Sequence, residues 1–118
     1  MTLVDTSVWV EHLRKGNDDL RSLLQANEVL VHPFIVGELA CGTIKNRIQV
    51  LNLLRELPPA SMAADEEVLS YVEARKLWGR GVGWVDVHLL ASALLSHARL
   101  WTFDKRLREL TSEWKLQQ

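Results

Sequence analysis

A single cysteine, Cys41, is the only thiol in this chain, so no internal disulfide can form. Its neighbours Leu39, Ala40 and Gly42 are small and apolar, which predicts a buried structural thiol and a reducing compartment. Nowhere does an apolar run approach the roughly 18 residues that a membrane-spanning helix needs. The first residues, MTLVDTSVWV, carry no basic stretch ahead of an apolar segment, and a cytoplasmic location is expected. Repeats, low-complexity tracts and linkers are also lacking. Net charge is nearly lacking too, because 14 Lys and Arg offset 15 Asp and Glu to give −1. That balance ordinarily counts against a polyanionic partner, unless some of the acids are clustered around a cation. The surface that then remains is net positive, with local basic groups at Arg14/Lys15, Lys45/Arg47, Arg75/Lys76/Arg80 and Lys105/Arg106/Arg108.

What is present is an ordinary globular composition, 47% hydrophobic and 25% charged, which excludes the disordered and fibrous classes. At 118 residues the chain has room for one domain, 1–118, and for one core. Short β-prone runs alternate with longer helical patterns. Strands are expected at Thr2–Val4, Val29–Val31 and Leu100–Thr102, with shorter ones at Ala60–Met62 and Trp114–Leu116. Helices are expected from about Ser7 to Leu13, from Asp18 or Asp19 through Leu24, and over Phe34–Cys41 with Pro33 at the first position and Gly42 at the end. Further helices follow through Ile48, Leu51 and Leu54 up to Pro58-Pro59, over Asp65–Trp78, over Val85–His97, and from Asp104 to about Leu110. The alternation predicts an α/β fold, a three-layer α/β/α sandwich on a mostly parallel sheet. In such sheets ligands gather beyond the carboxyl ends of the strands.

Four acids stand out against that expectation. Asp5 and Asp104 each follow a strand and precede a helix, where a plain N-cap is the competing explanation. Asp86 falls in the first turn of its helix, favoured there by the helix dipole, but it heads the mainly apolar stripe Leu90, Ala93, Leu94, His97. Glu38 is inside its helix, between Ile35, Val36, Gly37, Leu39 and Ala40, where no cap explains it. A carboxylate buried there needs a base such as Lys45, or a cation. Converging carboxylates repel one another unless a cation holds them, and oxygen-only ligands select Mg²⁺ or Mn²⁺.

The segments Asp5-Thr6-Ser7-Val8-Trp9, Val36-Gly37-Glu38-Leu39, Trp84-Val85-Asp86-Val87-His88-Leu89-Leu90-Ala91-Ser92-Ala93 and Trp101-Thr102-Phe103-Asp104-Lys105-Arg106-Leu107 occur in the order and approximate spacing of a known family. Through them the chain resembles the PIN-domain ribonucleases, most of all the VapC toxins of bacterial VapBC toxin-antitoxin pairs. The resemblance implies a Mg²⁺- or Mn²⁺-dependent endoribonuclease, RNA as substrate, a homodimer, and inhibition by a cognate VapB-like antitoxin. It puts Asp5, Glu38, Asp86 and Asp104 on the catalytic, metal-binding positions, with Ser7 and Thr102 in support.

Other features have plainer readings. Gly79-Arg80-Gly81-Val82-Gly83 follows a helix and lacks the Lys-Ser/Thr ending of a phosphate loop, so it is a connector from which Arg80 is a candidate for touching a phosphate. His12, His32, His88 and His97 lack metal-ligand spacing. Trp9 and Trp101 lie in apolar runs and are expected in the core or at a dimer surface. Two rival functions stay open at this level: a PIN-like regulatory or binding module without nuclease activity, and a phosphoacceptor signalling domain, although Asp5 lacks the adjacent acid that the latter needs.

Overall fold

The structure, a computed structural model, describes residues 1–118. Its element order is β1 (Thr2–Val4), α1 (Thr6–Lys15), α2 (Asp18–Gln25), β2 (Val29–Leu30), α3 (Pro33–Cys41), α4 (Arg47–Glu56), α5 (Asp65–Arg75), α6 (Trp84–Leu95), β3 (Arg99–Trp101) and α7 (Lys105–Glu113). The three strands form one parallel sheet in the order β2-β1-β3, with Leu3 opposite both Leu30 and Leu100. Central β1 is buried along its whole length, as an apolar strand covered on both faces must be. The core runs from Leu3 and Val4 through Leu20, Ile35, Leu39 and Leu54 to Leu89, Leu90, Leu100, Leu107 and Leu110. No helix is long and apolar enough to cross a membrane.

The topology fixes where a site can form. From β1 the chain crosses to β2 on one side, then passes back over to β3 on the other. Right-handed crossovers running in opposite directions put their helices on opposite faces of the sheet. Beyond β3, the stretch after α7 bridges Leu100 in parallel at Gln117, continuing in the same direction as β2 to β3. The helices that follow β1 and β3 therefore diverge. Between the carboxyl ends of these two neighbours lies the switch-point crevice. Asp5 enters it directly, since its N–H donates to the Trp101 carbonyl at 2.9 Å and prolongs the β1–β3 ladder by one residue.

Several local expectations need correcting. Ala60–Met62 forms no strand; only the Ala60 N–H joins the sheet, donating to the Val31 carbonyl at 2.8 Å beside the isolated Val31–Pro59 bridge, and the next rung would need a backbone N–H that Pro33 lacks. Trp114–Leu116 likewise yields the isolated bridge at Gln117. Helix α5 stops at Arg75 rather than Trp78, because Lys76 turns left-handed (φ 52°) and Leu77 N–H reaches back to the Val72 carbonyl at 3.0 Å. Cys41 is exposed at the end of α3, not buried.

Candidate active site

Asp5 occupies the N-cap position of α1, but its side chain caps nothing. Instead Oδ2 accepts hydrogen bonds from the Thr102 hydroxyl at 2.7 Å and the Ser7 hydroxyl at 3.0 Å. The residue is only 8% exposed, and two hydroxyl donors on one oxygen satisfy the half of the carboxylate that water has lost. No protein donor is directed at Oδ1. A carboxylate fixed through one oxygen and open at the other is suited to an external cation.

The same two hydroxyls join the ends of β1 and β3. Ser7 Oγ accepts from the Phe103 N–H at 3.0 Å, and Thr102 Oγ1 accepts from the Asp104 N–H at 3.0 Å. Asp104 is thereby oriented by the network that holds Asp5. It is also an N-cap, since its Oδ1 accepts from the Leu107 N–H at 3.0 Å. Cap and site are thus combined in one residue.

Asp86 closes the first turn of α6 by accepting the Gly83 N–H on Oδ2 at 3.0 Å. Burial raises its proton affinity above the ordinary carboxylate range; the Gly83 N–H opposes this, and the negative charges of Asp5 and Asp104 push the same way as burial. Three elements that are far apart in sequence thus deliver Asp5, Asp86 and Asp104 to one field.

Glu38 differs from expectation. It is exposed rather than buried, and its partner is not Lys45 but the Thr6 hydroxyl, which donates to Oε1 at 2.8 Å. Thr6 adjoins Asp5, so α3 is linked to the start of α1 beside the other acids. This residue escaped the sequence reading because Asp5-Thr6-Ser7 looks like a run of interchangeable N-cap residues. Arg80, a candidate phosphate contact, is instead paired with Glu113 at 2.6 Å.

Every donor in this pocket is an oxygen, the chemistry of a hard divalent cation. The side chains do not close into a group of three or more metal ligands. Mg²⁺ needs only one or two carboxylates when waters and substrate phosphates complete its octahedron, so the all-oxygen donor set, rather than a closed cage, is what suits this ion.

The sequence matches the PIN domain family over residues 2–112. The chain belongs to the PIN domain family. Two relatives, each named Ribonuclease VapC32, come from Mycobacterium tuberculosis strains CDC 1551 / Oshkosh and ATCC 25618 / H37Rv. Each is 51% identical over 114 residues, which span 96% of this chain and 92% of the relative. This likeness places the chain in the VapC group of PIN domains. The PIN match includes all four acids together with Ser7 and Thr102.

Proposed function

We propose that this PIN domain is a metal-dependent endoribonuclease acting as the toxin of a type II toxin-antitoxin pair, with Asp5, Glu38, Asp86 and Asp104 holding Mg²⁺ or Mn²⁺. The observation that carries this reading is the Asp5 carboxylate, buried, tied through one oxygen by Thr102 and Ser7, and set in a common field with Asp86 and Asp104. A bound divalent ion would supply charge neutralisation at the phosphate and a means of positioning water for in-line attack on the phosphodiester, leaving a 5′-phosphate.

The protein's own part is orientation. Ser7 and Thr102 hold Asp5 in one rotamer, the Thr102 hydroxyl anchors the Asp104 backbone, and the Gly83 N–H fixes Asp86. Thr6 aligns Glu38 on the edge of the pocket. With the acids positioned beforehand, little reorganisation remains when phosphate and cation arrive together.

The relatives' name, a ribonuclease, supports RNA as the substrate; a VapB-like antitoxin as the partner and a homodimer in the cytoplasm complete the proposal. The test is cleavage of RNA by the purified chain in Mg²⁺ with and without EDTA, beside an Asp5→Ala variant. Cleavage that persists in EDTA, or in a folded Asp5→Ala chain, would overturn the assignment.

A further inference from the structure

A cleft of about 550 Å³ opens between α1 and the segment that joins α3 to α4. Its lining includes Thr6, Val10 and Arg14 from α1, and Glu38, Ile44 and Lys45 from the facing side. Thr6 and Glu38 are hydrogen bonded to each other and belong to the rim of the acid pocket, so an occupant of the cleft is led to the acids.

The cations of this cleft are free of protein partners, and what sets them apart from other free cations such as Arg55, Lys76 and Lys115 is that they line the cleft beside Thr6 and Glu38. Elsewhere Lys15 pairs with Glu11 at 3.5 Å, Arg21 with Asp18 and Arg80 with Glu113, while Arg47 donates to the Ala40 carbonyl at 2.9 Å. Arg14 and Lys45 are exposed and make no salt bridge and no side-chain hydrogen bond. Two uncommitted cations thus line a cleft whose floor is partly apolar, with Val10 41% exposed.

Resting on the nuclease reading above, we propose that this cleft is the track of the RNA strand on one side of the scissile bond. Arg14 and Lys45 each neutralise one backbone phosphate there, and Val10 and Ile44 receive the sugar and base faces. Charge decides the occupant. A strand that presents a phosphate at every step matches two free cations, and cation contacts to phosphate carry affinity without reading sequence.

The probe is a fluorescent single-stranded RNA bound to the full chain carrying Asp5→Asn, so that binding is measured without cleavage. For single strands, log K falls with log salt at about −0.7 per phosphate neutralised. Arg14→Gln and Lys45→Gln should each flatten that slope by roughly 0.7, equally across RNA sequences, and the double variant by about 1.4. Arg14→Lys should retain the slope, and Lys76→Gln, which lies outside the cleft, should not change it. In the chain with Asp5 intact, KM should rise several-fold while kcat changes less than about twofold, as expected for uniform binding lost away from the reacting bond. Unchanged slopes in a chain that binds and cleaves RNA would overturn the track and leave the nuclease reading standing. Slopes unchanged alongside lost binding of a protein partner would assign the cleft to that partner and overturn the proposal as well. A parent chain that neither binds nor cleaves RNA would fail both readings.

Discussion

At the scale of single residues, the Thr102 hydroxyl has the most to lose. It donates to Asp5 Oδ2 and accepts from the Asp104 N–H, all within a residue only 3% exposed. Thr102→Val keeps the shape but strips one donor from a buried carboxylate and orphans a backbone N–H, at a cost of about 1–3 kcal/mol for each unsatisfied group. The variant is expected to unfold at lower denaturant and to lose RNA cleavage, whereas Thr102→Ser keeps both; a Val variant with full activity would refute the hydroxyl's role. His32 gives a second expectation at this scale. It is fully buried, its Nδ1 caps α3 by accepting the Phe34 N–H at 3.0 Å, and its Nε2 has no partner. Burial, aided by the charge of His88, lowers its pKa from 6.5 to about 4. In the window between those values the unfolded chain binds more protons than the folded one, so stability is complete above about pH 6.5 and falls as pH drops towards about 4. The loss is on the order of 3 kcal/mol, the shift multiplied by about 1.4 kcal/mol per unit. His32→Asn retains a capping side chain without the titration. Denaturant stability measured across this range should therefore fall less steeply for His32→Asn than for the parent chain; equal slopes would show that His32 does not carry the dependence.

Among the elements, the junction of α1 and α2 offers the sharpest backbone test. Gly16 ends α1 at φ 82°, ψ 143°, a conformation open almost only to glycine, and an added Cβ would stand 3.1 Å from Arg21 Nη2. Gly16→Ala should cost about 1–3 kcal/mol and lower the melting temperature without altering cleavage at low temperature, since no site residue lies at this turn. Turns and caps of this kind are where the sequence was most readable. Pro33 opens α3 and Gly42 follows it, Pro58-Pro59 stop α4, and Asp104 caps α7, each for a reason local to the chain. What escaped reading depended on tertiary contact. Helix α3 is apolar nearly all round, so no polar face fixed its rotation, and both Glu38 and Cys41 were expected inside when they are exposed. The end of α5 carried no glycine to announce it, because a lysine adopts the left-handed position. The four acids are visible in the sequence as candidates, but not how each is held. Glu38 had looked hardest to explain and has an ordinary hydroxyl partner on the surface, while Asp5, which looked like a cap, is the one that caps nothing. Strand ends placed it; only the pairing of β1 with β3 could show Thr102 aimed at it.

For the whole molecule, the acid pocket sets stability against function. Asp86 resists ionisation because it is partly buried and faces the charges of Asp5 and Asp104, so at neutral pH the metal-free fold bears a cost for holding it as a carboxylate. Asp86→Asn removes that charge and keeps an oxygen to accept the Gly83 N–H, and it should raise the melting temperature of the metal-free protein. A divalent ion that binds the folded chain alone stabilises it by mass action, by about 2.7 kcal/mol at a hundredfold excess over Kd. In a domain of this size that corresponds to a rise of roughly 10 °C, at about 4 °C per kcal/mol. Mg²⁺ should therefore shift the parent chain strongly and the Asp86→Asn chain little, so that the two melting curves approach or cross as the ion is added, whereas Na⁺ at equal ionic strength should leave their order unchanged. Scanning both proteins over a Mg²⁺ series checks this directly. A Mg²⁺ increment undiminished in Asp86→Asn would remove Asp86 from the metal site. A lower metal-free melting temperature in that variant would mean that its bond to Gly83, rather than its charge, governs how Asp86 acts on the fold.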